Sequence, residues 1–417
     1  MLHKKSSNKN LMAKALASSV MTAAVFIPVT TENVQAAPVT KTTFKDVPKS
    51  HWAYESIKQV AEKGLVTGYE DGTYKPSAQV TRAEFATFLA RVFESSERTT
   101  ANFSDVPGTH WASDAIQEGL ALGVIKVEDF TNNKFEPNKP MTRGEMSRWL
   151  ANGLAHANAD YGKAIGEMVN SNLTLIPIPE FYKGGVNKKD LPYIGIALGT
   201  GLLSGYEDFS FKPNGNTTRA EVATILIRFM DTLKKAPTDF TGLQELLEVA
   251  NTGTNILTIT NFKAKAGGYK DVLGKPHTYL NHTGVATIEH AIFVDLTGSK
   301  ANSIYKDMFF NEKLEGAIYL NKNRYTIYYE YTFVPSRDVS LQSVGNGSDM
   351  HFASNKLVNS SKIEQFNLSS PKSTSKNEFI KGEKYRYWAS NGTVNAPGEA
   401  FFSATDDGSV FSYIIPK

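Results

Sequence analysis

The sequence predicts a multidomain protein, in which a helical array of helix–loop–helix repeats precedes a strand-rich domain of the α+β or all-β class. Three observations support this prediction. One motif recurs three times within residues 43–235, each copy has apolar residues at helical spacing, and the remainder contains runs in which apolar and polar residues alternate. With 417 residues, the chain is long enough for two or three domains.

The first 36 residues differ in composition from the rest. Four lysines precede an apolar run from Leu16 to Val29, and small residues then flank a cleavage site at Ala37. This pattern predicts a secretory signal peptide over residues 1–36, because the apolar run is shorter than the ~20 residues that a membrane anchor needs. Cleavage removes four lysines and one glutamate, so the formal net charge falls from +3 to zero.

Composition excludes several kinds of function. A neutral mature chain lacks the basic surface that nucleic-acid binding requires, so no nucleic acid is expected as a partner. The absence of cysteine excludes disulfides, thiolate metal sites and cysteine nucleophiles. An exported chain without cysteine is typical of a Gram-positive surface protein, and after cleavage no segment is predicted to enter the membrane. No metal and no cofactor are predicted.

Three copies of one pattern make up the helical region. The copy that begins at Phe44 returns at Phe103, and a third copy lies 137 residues after the first. In each copy, two predicted helices flank a loop rich in Gly, Asp and Pro, and a glycine such as Gly64 is placed to end the first helix. The predicted boundaries of the copies are 43–97, 102–157 and 175–235.

The second helix of each copy begins with a Thr-Arg-x-Glu frame. Thr81 and Glu84 have the spacing of a capping box, in which each side chain accepts a hydrogen bond from a backbone amide. Helix initiation does not explain the arginine, because a cation at the first helical position is mildly unfavourable. Together with free N–H groups it would form a receptor for a carboxylate or phosphate. The alternative is a surface salt bridge to an acid such as Asp71 or Asp208. The three arginines are Arg82, Arg143 and Arg219.

In these motifs the sequence resembles the S-layer homology domain family, over residues 43–235. The resemblance implies three tandem units packed as a pseudo-threefold helical module, with grooves that bind pyruvylated secondary cell-wall polysaccharide. The matching residues of the first copy are Phe44 to Val47, His51 to Ala53, Tyr74 to Pro76 and Thr81 to Glu84; those of the second are Phe103 to Val106, His110 to Ala112, Phe135 to Pro137 and Thr142 to Glu145.

The resemblance also implies roles for individual residues. It assigns arginines to the ketal carboxylate, tryptophans to packing on sugar, and aspartates to polar contacts in the groove. These roles fit the residue types, since a guanidinium matches a planar carboxylate and an indole offers an apolar face with one donor. The residues are Arg82, Arg143 and Arg219, then Trp52 and Trp111, and then Asp46 and Asp105.

The third copy departs from the pattern in its first half. When Phe181 is aligned with Phe44, Lys183 takes the place of Asp46. Residues 188–190, Lys-Lys-Asp, then stand where the first copy has His-Trp-Ala. The longer interval before Phe181 indicates an insertion, and a complete third groove is therefore not predicted.

Residues 240–417 form the predicted strand-rich domain, which follows a short linker at residues 234–240. The run from Arg324 to Pro335 places Tyr325 and Ile327 on one face and Thr326 on the other. Asp407-Gly408 is placed to form a hairpin turn between two strands. Further candidates are a helix at 243–250 and strands at 316–321, 382–390 and 399–417.

Few residues of this domain suggest chemistry. His277, His282, His290 and His351, with Glu289, lack the spacing of a zinc site on a helix, and no serine lies in a Gly-x-Ser-x-Gly motif. A two-carboxylate glycosidase has no local signature and stays open. We therefore predict a non-enzymatic surface protein with a structural or adhesive outward domain and with S-layer proteins as a second class of partner. The alternative is a wall-anchored hydrolase acting on peptidoglycan or polysaccharide.

Overall fold

The part of the chain with a described structure begins at the first repeat. The computed structural model describes residues 43–171, 173, 178–310, 320–346, 363–370 and 376–417. The predicted signal peptide, His351 and most of the predicted strand at 316–321 lie outside these ranges. Within them, no helix has both the length and the apolar character needed to span a membrane.

Each repeat contributes a short helix, a loop and a longer helix, as the sequence predicts. In the first helix, Ile57 and Val60 lie on the buried face. Gly64 follows it with a φ of 67°, a left-handed conformation that favours glycine and ends the helix, and Gly123 and Gly201 repeat this feature. The helices of the repeats are α1 (Tyr54–Glu62) and α2 (Arg82–Phe93), α3 (Ser113–Ala121) and α4 (Arg143–Ala157), and α7 (Leu191–Gly199) and α8 (Arg219–Thr232).

Two extra helices precede α7, the first in the predicted insertion and the second at the start of the third repeat. They are α5 (Ala159–Asn170) and the five-residue α6 (Pro179–Lys183). Tyr161 of α5 is buried, and its hydroxyl donates a hydrogen bond to the carbonyl of Lys235 at 3.1 Å. The insertion is therefore fixed to the segment that follows α8.

The C-terminal region contains two antiparallel sheets, in agreement with the predicted strand-rich class. A four-stranded sheet has the order β2-β3-β4-β5, and a three-stranded sheet has the order β1-β7-β6. Its helices are α9 (Thr241–Thr252), α10 (Ile256–Ile259), α11 (Lys306–Phe309) and α12 (Leu341–Asn346), and its strands are β1 (Lys263–Ala266), β2 (Pro276–Thr278), β3 (Gly284–Asp295), β4 (Arg324–Pro335), β5 (Tyr385–Val394), β6 (Ala400–Ala404) and β7 (Val410–Ile414).

The two sheets share one apolar core. Tyr325 and Ile327 of β4 belong to this core, and Phe401 of β6 packs edge-on against Phe293 of β3 at 5.4 Å between ring centroids. The predicted hairpin turn is also confirmed. Gly408 has a φ of 81°, and β6 and β7 pair in antiparallel fashion on either side of it.

The opposite face of β4 is buried as well, which simple alternation does not reveal. Tyr328 stacks on Phe309 of α11 at 4.5 Å, and both belong to the apolar cluster that fills the repeats. Leu243 of α9 lies against Gly199 of α7, so closely that a Cβ on the glycine would come within 2.7 Å of the leucine Cα. The predicted linker therefore does not separate two independent bodies, because the helical and strand-rich regions share buried side chains.

Candidate functional site

The capping boxes of the three second helices are confirmed. The Thr81 hydroxyl accepts a hydrogen bond from the Glu84 amide at 3.2 Å, and the Glu84 carboxylate accepts one from the Thr81 amide at 2.8 Å. The same reciprocal pair begins α4 and α8. This arrangement fixes the arginine that follows each threonine at the first helical position.

Backbone hydrogen bonds join the three segments that precede these helices in a closed cycle. The Val80 amide donates to the Thr217 carbonyl at 3.0 Å, the Met141 amide to the Val80 carbonyl at 2.8 Å, and the Thr217 amide to the Met141 carbonyl at 3.2 Å. Each repeat therefore contacts both of the others at this point. Each of the three arginines lies two residues after the residue of its repeat that takes part in this cycle.

The backbone groups beside the arginines are not free, and this part of the predicted anion receptor is wrong. The amides of Arg82 and Ala83 each donate to carbonyls of the second repeat at 3.0 Å. The amides of Arg143 and Arg219 likewise donate to a neighbouring repeat, both at 2.9 Å. Since the first N–H groups of each helix already have acceptors, only the guanidinium groups remain as candidate anion ligands.

The guanidinium groups also reach from one repeat to the next. Arg82, Arg143 and Arg219 are buried, with 6, 5 and 4% exposure. Each donates to the carbonyl of an aromatic residue in the next repeat: Arg82 to Phe135 at 2.7 Å, Arg143 to Phe211 at 2.8 Å, and Arg219 to Tyr74 at 2.8 Å. The side chains thus donate in the same order as the amides of the same arginines: the first repeat to the second, the second to the third, and the third to the first.

The three arginines differ in their acidic partners. Arg82 is bound by Glu145 and by Glu136, and Arg219 lies 3.6 Å from Glu84. The predicted alternative of a salt bridge to a nearby acid is therefore confirmed for Arg82 and Arg219, but the acids are not the Asp71 and Asp208 given as examples. Those two carboxylates accept hydrogen bonds from Thr73 and Ser210 in their own loops.

Arg143 has no carboxylate oxygen within 4 Å among the residues described. It donates instead to the carbonyls of Phe211 and Ser204, and its guanidinium carbon lies 4.8 Å from the ring centre of Tyr206. Burial lowers the pKa of Arg143, and the charges of Glu221 and Glu180, which act from beyond 4 Å, only partly offset this effect. A buried cation with neutral partners is the most favourable of the three for an added anion.

The aspartates of the motif hold loop backbone. Asp46 accepts hydrogen bonds from the amides of Tyr74 and Lys75, and Asp105 accepts from Phe135 and Glu136, all at 2.8 Å. Lys75 and Glu136 have φ values of 57° and 54°, which cost energy for residues with a side chain. The carboxylates therefore stabilise a strained turn, just before the proline of each loop.

In the third repeat Glu180 takes this position, and the alignment that placed Lys183 there is wrong. The Glu180 carboxylate accepts from the amides of Phe211 and Lys212 at 3.1 and 2.9 Å, and Lys212 again has a φ of 53°. The equivalent segments are thus three residues out of the predicted register. The residue equivalent to Phe44, two positions before the carboxylate, is the buried Ile178 and not Phe181. The alignment went wrong because it required a phenylalanine at this position.

The tryptophans of the motif are exposed. Trp52 and Trp111 have 66 and 63% exposure, and each stacks on the histidine before it, at 5.7 and 5.6 Å between ring centroids. Counted back from the first helix of each repeat, Tyr54 at the start of α1 corresponds to Leu191 at the start of α7, so the exposed Lys189 stands at this place in the third repeat. The first two repeats therefore offer a flat apolar surface that the third does not have.

The three histidines of the C-terminal region that lie within the described ranges, His277, His282 and His290, do not form one site. His277 contacts the Ala404 carbonyl at 2.9 Å, and His282 lies in a turn with a φ of 55°. Glu289 accepts hydrogen bonds from Thr287 and Thr332. Within the described ranges, no group of three or more acidic or histidine side chains is arranged to hold a metal ion.

Sequence reasoning missed a buried charged cluster on the four-stranded sheet. Glu330 accepts hydrogen bonds from His290 at 2.7 Å and from Arg386 at 2.6 Å. The signal that could have indicated it is Glu330 itself, a lone charge among the apolar residues of "YTIYYEYTFV". A buried charge of this kind is retained only with partners.

The helical region is thus a tandem array of helix–loop–helix repeats, closed by arginines and presenting exposed indoles at equivalent positions. Residues 43–86, 102–147 and 186–223 match the S-layer homology domain. The chain carries three tandem S-layer homology domains, which indicates a secreted protein of the cell wall or S-layer.

Three relatives illustrate the proteins to which this chain is similar. The cellulosome-anchoring protein of Acetivibrio thermocellus is 39% identical over 25% of this chain and 24% of its own length. The S-layer protein sap of Bacillus anthracis is 29% identical over 52% of this chain and 24% of its own length. The amylopullulanase of Thermoanaerobacterium thermosulfurigenes is 27% identical over 45% of this chain and 10% of its own length. The chain thus spans a quarter or less of each of these relatives.

Proposed function

We propose that this protein is held non-covalently at the cell wall by its three repeats, which form a pseudo-threefold module and bind pyruvylated secondary cell-wall polysaccharide. The C-terminal region faces outward and has a structural or adhesive role. The S-layer protein and the cellulosome-anchoring protein among its relatives support a surface location. The proposed ligand contacts are Arg82, Arg143, Arg219, Trp52, Trp111, Asp46 and Asp105.

The exposure of Trp52 and Trp111 is the observation that carries this proposal. Large apolar side chains are normally buried, and two indoles at the same place in two repeats form a repeated exposed feature. An indole presents an apolar face to a sugar ring and one N–H donor to a hydroxyl. Neither indole is needed for the core of its repeat, so a ligand is the better explanation of its position.

The polar groups supply the rest of the proposed groove. Arg143 is the main candidate for the ketal carboxylate, because it lacks an acidic partner and can present paired donors. Arg82 and Arg219 share their guanidinium groups with glutamates, which a ligand carboxylate would have to displace or join. Asp46 and Asp105 retain lone pairs for a sugar hydroxyl, since each carboxylate can accept about four hydrogen bonds and uses two.

The test is binding of the whole mature chain to isolated cell walls, with and without their secondary polysaccharide. We expect Trp52→Ala with Trp111→Ala to weaken binding about tenfold or more, since a buried tryptophan anchor contributes roughly 2 kcal/mol or more. The control is Leu280→Ala, which removes a side chain of 68% exposure outside the repeats. Equal binding to stripped walls would contradict the proposal.

A second candidate function is a wall-anchored hydrolase. The amylopullulanase and an endoglucanase of a Bacillus strain, 25% identical over 48% of this chain, favour it as directly as the S-layer relatives favour a structural role. Zymography of the mature chain on cell-wall and polysaccharide substrates separates the two functions. A cleared zone that Glu330→Gln or Glu289→Gln abolishes would establish the hydrolase.

A further inference from the structure

A cavity of about 280 Å³ lies outside the S-layer homology motifs, where α6 meets the face of the four-stranded sheet that carries Tyr328 and Trp388. This volume is near the lower end of the range for small-molecule sites, ~300 to 1,000 Å³. Strand residues form its base, and the segment after the 3₁₀ turn at Glu364–Phe366 forms its rim. Its lining residues are Tyr182, His290, Glu330, Asn367, Leu368, Ser369, Arg386 and Trp388.

The base of the cavity is a charged cluster that the fold has buried. Glu330 and His290 have 3 and 7% exposure, and Trp388 has 1%. Burial alone would raise the pKa of Glu330, but the hydrogen bonds and charges of His290 and Arg386 together hold that pKa below its ordinary value. Glu330 is therefore ionised, and each of its oxygens has one donor.

Arg386 uses only part of its guanidinium in this cluster. Its Nε donates to Glu330 Oε1 at 2.6 Å, while its side chain keeps 64% exposure. No residue described here accepts a hydrogen bond from its two terminal nitrogens. Because Glu330 holds the Nε edge, the guanidinium plane is oriented in advance, and the edge that carries both terminal nitrogens is available to a ligand.

We propose that this cavity binds a small ligand through a carboxylate, and that the ligand is an acidic sugar residue. The terminal nitrogens of Arg386 would take both oxygens of the carboxylate, a geometry that lysine cannot reproduce. Trp388, whose ring is parallel to that of His290 at 6.4 Å between centroids, and Leu368 supply the apolar part of the lining. Asn367 and Ser369 at the rim provide exposed polar groups for the sugar hydroxyls.

The proposal is independent of wall anchoring by the repeats. None of the residues proposed above to contact the wall polysaccharide lines this cavity. The strand-rich region would thus have a ligand of its own, in addition to the polymer bound by the repeats. A carboxylate is also present at the end of a wall peptide, and the experiment has to distinguish these two sources.

The test is calorimetric titration of the mature chain with glucuronate, with glucose as the neutral match. We expect glucuronate to bind and glucose to give no heat. N-acetyl-D-alanyl-D-alanine supplies the same carboxylate on a peptide, and inorganic phosphate supplies an anion of different shape. Tighter binding of the dipeptide than of glucuronate would reject the sugar, and equal binding of phosphate would reject carboxylate recognition.

Variants locate the site. Arg386→Gln should abolish the heat, and Arg386→Lys should weaken binding about tenfold or more while it keeps a cation beside Glu330. The matched control is Lys384→Gln, which removes an exposed cation two residues earlier and should leave the affinity within about twofold. Melting curves show whether each variant folds, and Arg386→Lys serves as the test if Arg386→Gln does not.

Besides the ligand comparisons, the absence of glucuronate binding and two results with the variants would overturn the inference. One is an unchanged glucuronate affinity in folded Arg386→Gln or Arg386→Lys. The other is that Arg143→Gln no longer binds glucuronate while Arg386→Gln still does, which would place the acidic sugar in the repeats. The second result would support wall anchoring, so failure of this inference is distinguishable from failure of the proposed function.

Discussion

Replacing Arg82 by alanine tests whether the motif arginines stabilise the contacts between repeats in addition to binding a ligand. The substitution leaves the Phe135 carbonyl without its donor and Glu145 without its cation, across the contact between the first two repeats. Removing one partner of a buried ion pair costs roughly 3 to 5 kcal/mol. We expect a loss of unfolding free energy of this size, although the sequence alone suggested that Arg82 mainly concerns the ligand.

The assay is chemical and thermal unfolding of the mature chain without polysaccharide. Glu136→Ala is the matched control, because Glu136 is the exposed partner of Arg82, with 51% side-chain exposure, and an exposed pair contributes about 1 kcal/mol or less. If Arg82→Ala costs no more than Glu136→Ala, the arginine does not stabilise the contact between repeats. The closed cycle would then owe its stability to the backbone hydrogen bonds alone.

Three further predictions concern stability, the first two at the junction between the repeats and the sheets and the third in α5. Burial raises the pKa of Glu245 to about 7 from an ordinary 4.5, so the folded chain keeps a proton that the unfolded chain loses. Stability should therefore fall by roughly 3 kcal/mol as the pH rises from about 4.5 to above 7, and Glu245→Gln should flatten this slope in pH-dependent unfolding. Gly199→Ala should destabilise by about 1 to 3 kcal/mol, since its Cβ would meet the Leu243 backbone. Gly166→Ala, with nothing within 4 Å of its Cβ, should stabilise by about 0.5 to 1 kcal/mol in the same melts.

Features encoded by neighbouring residues could be predicted from the sequence. The box of Thr81 and Glu84 depends on one helical turn, and the buried face of β4 depends on alternation along a single strand. The partners of the arginines could not be predicted in this way. Arg219 binds the carbonyl of Tyr74, 145 positions away, and only packing of the third repeat on the first brings these residues together.

The charged cluster of the sheet was hidden for a similar reason. Glu330 and His290 become neighbours through the pairing of β4 with β3, in which the register shifts between Ile288 and His290. Arg386 joins them from β5, where it lies two residues before Trp388, the residue paired with Glu330, and so on the same face of the sheet. A lone acidic residue in an apolar strand indicates that a partner exists, but strand register decides which residue it is.

The third repeat shows which parts of the motif serve the fold. It lacks the tryptophan, yet it keeps the capping box, Arg219 and, through Glu180, a carboxylate that holds two loop amides. The capping box begins α8, Arg219 binds the first repeat, and Glu180 shapes the loop that receives Arg143 from the second repeat. An exposed indole contributes little to folding, so its loss leaves the cycle of backbone contacts intact. We therefore expect the third repeat to close the array and to support α9, while sugar stacking depends on Trp52 and Trp111.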